Sequence, residues 1–136
     1  NYIFNRNIQL NWNAAISHNY FDGGEFNNKI LPKYPIQLSN MTVKYRSENN
    51  FSTHSTLKYV GKQFIDNANM DENVVDSYIL LDLGINYTLG SLVISGKVNN
   101  LLDTLYVTHG ENWGSGWIAY WPGATRHFYV GLSYQF

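Results

Sequence analysis

The chain has 136 residues, one domain or less, with 14% charged and 16% aromatic side chains and a formal net charge of −1. A nearly neutral chain without a basic run argues against nucleic acid as the main partner, and the lack of cysteine excludes a disulfide framework or a thiolate metal centre. No apolar run approaches the roughly eighteen residues of a membrane-spanning helix, which leaves spanning strands open: half of their residues face a polar interior and keep mean hydropathy low.

Period two governs the first element. Over residues 8–20, Ile8, Leu10, Trp12, Ala14, Ile16 and Tyr20 share one parity, interrupted by His18, while Gln9, Asn11, Asn13, Ser17 and Asn19 share the other. A helix would scatter that apolar set around its circumference, so the segment reads as a strand. A turn-rich stretch follows, with Asp22-Gly23-Gly24, Asn27-Asn28, Pro32 and Pro35. The second strand, residues 36–46, sends Met41, Val43 and Tyr45 one way and Asn40, Thr42 and Lys44 the other. Ile36 and Leu38 fall out of phase, which predicts a bulge or a start outside the apolar band.

A short polar turn, residues 47–50, leads to a mixed third strand, residues 51–64, with Phe51, Leu57 and Tyr59 opposite His54, Thr56 and Lys58. Residues 65–76 read as an acidic, Asn-rich loop. The fourth strand is the plainest internal one: Ile79, Leu81, Leu83, Ile85, Tyr87 and Leu89 alternate with Leu80, Asp82, Gly84, Asn86 and Thr88. A tight turn at Gly90 enters the fifth, where Leu92, Ile94 and Val98 oppose Val93, Ser95, Lys97 and Asn99. A loop rich in Gly and Trp, residues 103–123, feeds the sixth and last strand, residues 126–136. There Phe128, Val130, Leu132, Tyr134 and Phe136 share one face, and the alternation is long enough to cross a bilayer as a tilted strand.

The connections alternate long, short, long, short, long. An up-and-down barrel in the outer membrane has this rhythm, with short periplasmic turns and long extracellular loops, and it places both chain ends on the periplasmic side. Six strands are too few to close such a barrel, and open edges would expose unsatisfied backbone to lipid. The expectation is an all-β, transmembrane antiparallel segment of a larger barrel.

The closing strand resembles the C-terminal strand of outer-membrane barrels, whose terminal Phe and preceding apolar row are read by the barrel assembly machinery. Upstream, Asn100-Leu101-Leu102-Asp103, Tyr106 and Pro122-Gly123-Ala124-Thr125-Arg126 resemble the end of a TonB-dependent receptor, as does Tyr59-Val60-Gly61-Lys62-Gln63-Phe64 with Asp66-Asn67. Leu102 stands where that family more often has Phe. The resemblance implies a wall segment, residues 1–136, of a 22-stranded barrel whose plug domain and earlier strands lie elsewhere. It further implies active uptake of a scarce nutrient (a ferric siderophore, cobalamin, haem or an oligosaccharide), powered by TonB–ExbB–ExbD acting on the plug. Expected partners are the rest of the receptor, lipid and lipopolysaccharide, with a surface lipoprotein as a further candidate. A small passive porin and a secreted β-sandwich carbohydrate-binding module are the alternative readings.

No residues suggest an enzyme or a cofactor. His18, His54, His109 and His127 lack the local spacing of a metal site. Asp66, Asp71, Glu72 and Asp76 lack the spacing of a calcium loop. His109, Asn112, Trp113, Trp117 and Tyr120 form the candidate substrate-contacting loop, because rigid aromatics with polar tips favour recognition surfaces. The competing reading is an aromatic girdle, which suits Tyr120 and Trp121 best, together with packing of the loop onto the barrel rim. Lys44, Lys58, Lys97 and Asp82 should face the interior. Arg126 should snorkel to lipopolysaccharide phosphates or pair within the rim.

Overall fold

In the computed structural model, which describes residues 2–136, the chain is built of strands, turns and loops. The strands are β1 (Tyr2–Ile3), β2 (Ile8–Ile16), β3 (Gln37–Arg46), β4 (Phe51–Val60), β5 (Gln63–Phe64), β6 (Val74–Val75), β7 (Tyr78–Leu89), β8 (Leu92–Asn99), β9 (Val107–Asn112), β10 (Ile118–Pro122) and β11 (His127–Tyr134). One antiparallel sheet runs β1-β2-β3-β4-β7-β8-β11, and two-stranded ribbons β5-β6 and β9-β10 stand at its outer end, where the long connections lie. The sheet does not close, since β1 and β11 are its edges. No second sheet stacks on it among the described residues, which removes the sandwich reading.

Register assigns the two faces. Across four strands, Trp12, Met41, Leu57 and Leu81 stand in line, and Leu83, Val98 and Phe128 continue the outward face. The opposite face carries the row Lys44, His54, Gly84, Lys97 and Tyr129. The outward face holds no charged strand residue, and its exposed members include Ile85, Leu132 and Val130. Two of its polar side chains bond within the sheet. The Trp12 indole N–H donates to Ser39 Oγ (2.9 Å), and the Thr53 hydroxyl donates to the Gly84 carbonyl (2.9 Å). Tyr45, Phe51, Tyr87 and Tyr134 line the outward face near the inner, short-turn end, an arrangement that suits an interfacial belt.

Three expectations need correction. A two-residue strand, β1, precedes β2 across the turn Phe4–Asn7, with Tyr2 opposite Leu10. The described residues therefore include one more inner turn, so the first described strand runs up the wall and only the last strand ends at the inner side as expected. Second, of the bulge and the start outside the apolar band, the bulge is absent: Leu38 pairs in unbroken register with Ala15 and Val60 on the interior face, at the outer end of β3. Leu38 itself stays 38% exposed, beside the buried Val60 at the outer end of the strand. The buried apolar residues, Val60, Ile65 and Val75, lie at that end, in and around β5 and β6. Third, β2 stops at Ile16 and β4 at Val60, both shorter than the alternation suggested. Residues 61–77 turn away to form β5 and β6.

Candidate functional site

The candidate loop is a folded hairpin. β9 and β10 pair from Asn112–Ile118 down to His109–Trp121, with an irregularity before Pro122. Its tip closes with a backbone bond from Trp113 N–H to Trp117 O (2.9 Å). Gly114, Ser115 and Gly116 all have positive φ (84°, 51° and 79°), which is why two glycines flank the one serine.

Pairing divides the five candidate residues between two faces. Asn112 and Tyr120 lie with Gly110 on the face toward Ile65, where a Cβ at Gly110 would crowd both Ile65 and the Tyr120 ring. His109 and Trp113 lie on the other face with Glu111 and Trp121. The His109 and Trp121 rings stack at 4.3 Å and 11°. Trp113 and Trp117 protrude at the tip, 68% and 74% exposed. Asn112 Oδ1 accepts the Gly114 N–H (2.9 Å), so this side chain shapes the turn. Tyr120 and Trp121 belong to the hairpin and not to the outward face of the sheet, contrary to the girdle expectation.

Glu111, absent from the expected set, organises the exposed face. Its Oε1 accepts from Lys33 Nζ (2.7 Å) and its Oε2 from the Trp113 indole N–H (2.9 Å). The Lys33 hydrogen bond, then that of Trp113, holds the Glu111 carboxyl below the usual glutamate range. Lys33 comes from residues 17–36, so this pair joins the first long connection to the third. The second is tied in as well: Asn69 donates to Ile30 O (2.8 Å) and accepts from Ile30 N–H (2.6 Å), Lys33 N–H donates to Phe64 O (2.7 Å), and Gln63 Nε2 donates to Thr108 O (3.1 Å). Three connections form one fastened rim. Nothing in the local sequence marks these contacts, because each spans at least 31 residues.

Beneath the rim, the quoted Asn100–Asp103 motif is a knot of backbone-directed bonds. Asn100 is buried with φ 50°; its Nδ2 donates to Thr104 O (2.9 Å) and Ala124 O (3.1 Å), and its Oδ1 accepts from Thr104 N–H (2.9 Å). Asp82 Oδ1 accepts the Asn100 N–H (2.9 Å). Asp103 Oδ1 accepts the Arg126 N–H (2.8 Å), and Arg126 NH1 donates to Leu101 O (3.3 Å), so Arg126 serves within the rim. The Tyr106 ring occupies the space a Cβ on Gly123 would need.

Among the described residues no three His, Asp or Glu side chains converge as metal ligands. His18 meets the Tyr20 hydroxyl (3.1 Å), and His127 Nδ1 donates to Thr125 O (2.7 Å). Asp66 is engaged by Asn73 Nδ2 (2.5 Å) and the Met70 N–H (3.3 Å). The rim places fixed flat rings beside hydrogen-bonding groups.

An open antiparallel sheet with one apolar and one polar face, short turns at one end and fastened loops at the other, is the wall of an outer-membrane type of β-barrel. More narrowly, it has the fold of TonB-dependent receptor barrels. It superposes on the ferric citrate transporter FecA with a TM-score of 0.84 at 19% identity, over 96% of this chain and 21% of that one. The ferric-catecholate import receptor Fiu of E. coli K12 gives 0.82 at 21% identity, over 98% and 19% of the two chains. The ferric yersiniabactin uptake receptor FyuA of Yersinia pestis gives 0.78 at 20%, over 95% and 21%. These are outer-membrane receptors of Gram-negative bacteria, and the chain spans about a fifth of their length. No sequence-family profile matches it.

Proposed function

We propose that residues 1–136 form the C-terminal wall of a TonB-dependent receptor in the outer membrane of a Gram-negative bacterium, importing a scarce nutrient such as a ferric siderophore. One observation carries the reading. The uncharged outward face, the interior row of Lys44, His54 and Lys97, and the inner turns and outer loops all belong to one sheet, and that sheet superposes on the ferric citrate transporter FecA. β11 would complete the barrel by pairing with strands outside this chain, since its free edge otherwise leaves backbone groups unpaired. TonB–ExbB–ExbD would act through a plug domain elsewhere in the protein. The row Phe128, Val130, Leu132, Tyr134 and Phe136 would present the assembly signal.

In this reading the hairpin faces the medium, with His109, Trp113 and Trp117 as ligand contacts on one face and Tyr120 on the other. Asn112 would support the turn. Because the chain has no cysteine, Ser115→Cys makes a unique label within it. Intact cells carrying the receptor should label at Ser115→Cys with an impermeant maleimide, while Leu83→Cys stays unlabelled. Uptake of the receptor's nutrient should stop when a protonophore collapses the proton gradient. Uptake unaffected by the protonophore would return the chain to the passive-porin alternative.

A further inference from the structure

Charge is sorted along this wall. The three outer connections (residues 17–36, 61–77 and 100–126) hold eight carboxylates, Asp22, Glu25, Asp66, Asp71, Glu72, Asp76, Asp103 and Glu111, against Lys29, Lys33, Lys62 and Arg126. Three of those cations are already paired, with Glu111, Asp71 and Asp103. Among the described residues only Lys29 keeps an unpaired positive charge there, against five carboxylates outside any ion pair. The outer field is negative, and a mouth of one sign concentrates ligands of the other.

A cavity of about 600 Å³ lies in that field, between the β6–β7 junction and the base of the β9–β10 hairpin. Tyr78, Tyr106, Tyr120 and Leu105 line it together with Glu72 and Asp76; no Lys or Arg contributes to the lining. The Tyr78 and Tyr106 rings are in contact, with centroids 4.5 Å apart. Tyr106 is further held by Gly123, and Tyr120 by Gly110. The aromatic walls are therefore fixed before any ligand arrives. Neither Glu72 nor Asp76 has an ionic partner among the described residues.

Electron-rich ring faces beside free carboxylates suit one ligand chemistry. A cation gains from both the ring quadrupole and the carboxylate charge, while an anion is repelled by both. We propose that this cavity binds an organic cation, an amine or quaternary ammonium on an apolar body, and that it selects against anions of the same size. The proposal deepens the receptor reading and relies on it for the cavity's access to the medium.

The test uses the full-length receptor in detergent, titrated with benzyltrimethylammonium and, separately, benzenesulfonate, followed by calorimetry. The ammonium should bind saturably and the sulfonate should not. The double variant Glu72→Gln/Asp76→Asn should weaken ammonium binding by about tenfold, as the loss of two nearby carboxylates implies. Asp22→Asn, the same charge change away from the cavity, should shift it by less than about twofold. A heat-modifiable gel band checks that each variant is folded, and the comparison of the two probes on the unaltered receptor needs no variant. Sulfonate binding as tight as ammonium, or unchanged binding in the folded double variant, overturns the proposal. Ammonium binding without energised import would remove the receptor reading and leave the cavity standing; import with sulfonate preferred would do the reverse.

Discussion

The imidazole of His54 lies over the α-carbon of Gly84, in the volume a methyl group would fill. The two residues are directly paired across β4 and β7 on the interior face, in the row that also contains Lys44 and Lys97. Gly84→Ala should therefore destabilise the barrel by about 1–3 kcal/mol through overpacking. Denaturant titration of the full-length receptor in vesicles measures this. Adding His54→Ala should recover most of the loss, and a double variant no more stable than Gly84→Ala alone would show that the ring is not the obstacle.

Asn100→Ala removes a side chain that satisfies three backbone groups in a buried knot. Stranding them should cost about 2–4 kcal/mol. Asp103→Ala, at an exposed position that accepts the Arg126 N–H, should cost about 1 kcal/mol or less. The yield and thermal midpoint of assembled barrel report both. Equal losses would mean that the knot is held by something other than Asn100.

Leu83 lies near the middle of β7 on the outward face, flanked by Ser55 and Val98. Leu83→Lys should cost about 2–4 kcal/mol by placing a charge near the bilayer midplane. Asn86→Lys, on the interior face of the same strand, should cost well under half as much. Similar costs for the two would assign the faces wrongly.

The Lys33–Glu111 contact gives the rim a pH dependence of known sign. The folded Glu111 carboxyl sits below its ordinary value, so the fastened state binds fewer protons than the released one. Its stabilisation is complete above the ordinary glutamate range and is lost as pH falls through the depressed value. Because Trp113 donates to the same carboxylate, its fluorescence should change on acidification in that window. Glu111→Gln should abolish the change; a titration that persists in that variant would place its origin elsewhere.

The main sheet was legible because its strands alternate strictly between an apolar and a polar face. Ile79 to Leu89 could be read residue by residue, and the structure keeps that parity across every long strand. Leu38 misled because it is an apolar residue on the interior face, paired with Val60 at the outer end of the strand, where parity alone does not tell the two faces apart. The hairpin was hidden because Val107 to Asn112 includes one glycine and no apolar alternation. Its two faces meet the rest of the rim through contacts distant in sequence. For the same reason the aromatic residues of the loop were visible as a composition, while Glu111 and Lys33, which set their arrangement, were not. Asn was read as turn chemistry. At Asn28, Asn50, Asn69 and Asn100 it also supplies positive φ, and at Asn69 and Asn100 the side chain fastens one segment to another.

Because Trp113 leans on Glu111, Glu111 on Lys33, and Lys33 on the strand that leads to Asn69, a push at the hairpin tip travels sideways along the crown. Such a mouth has few independent moving parts. A visitor that dislodges one lip loosens its neighbours, and one that grips a single lip steadies all three.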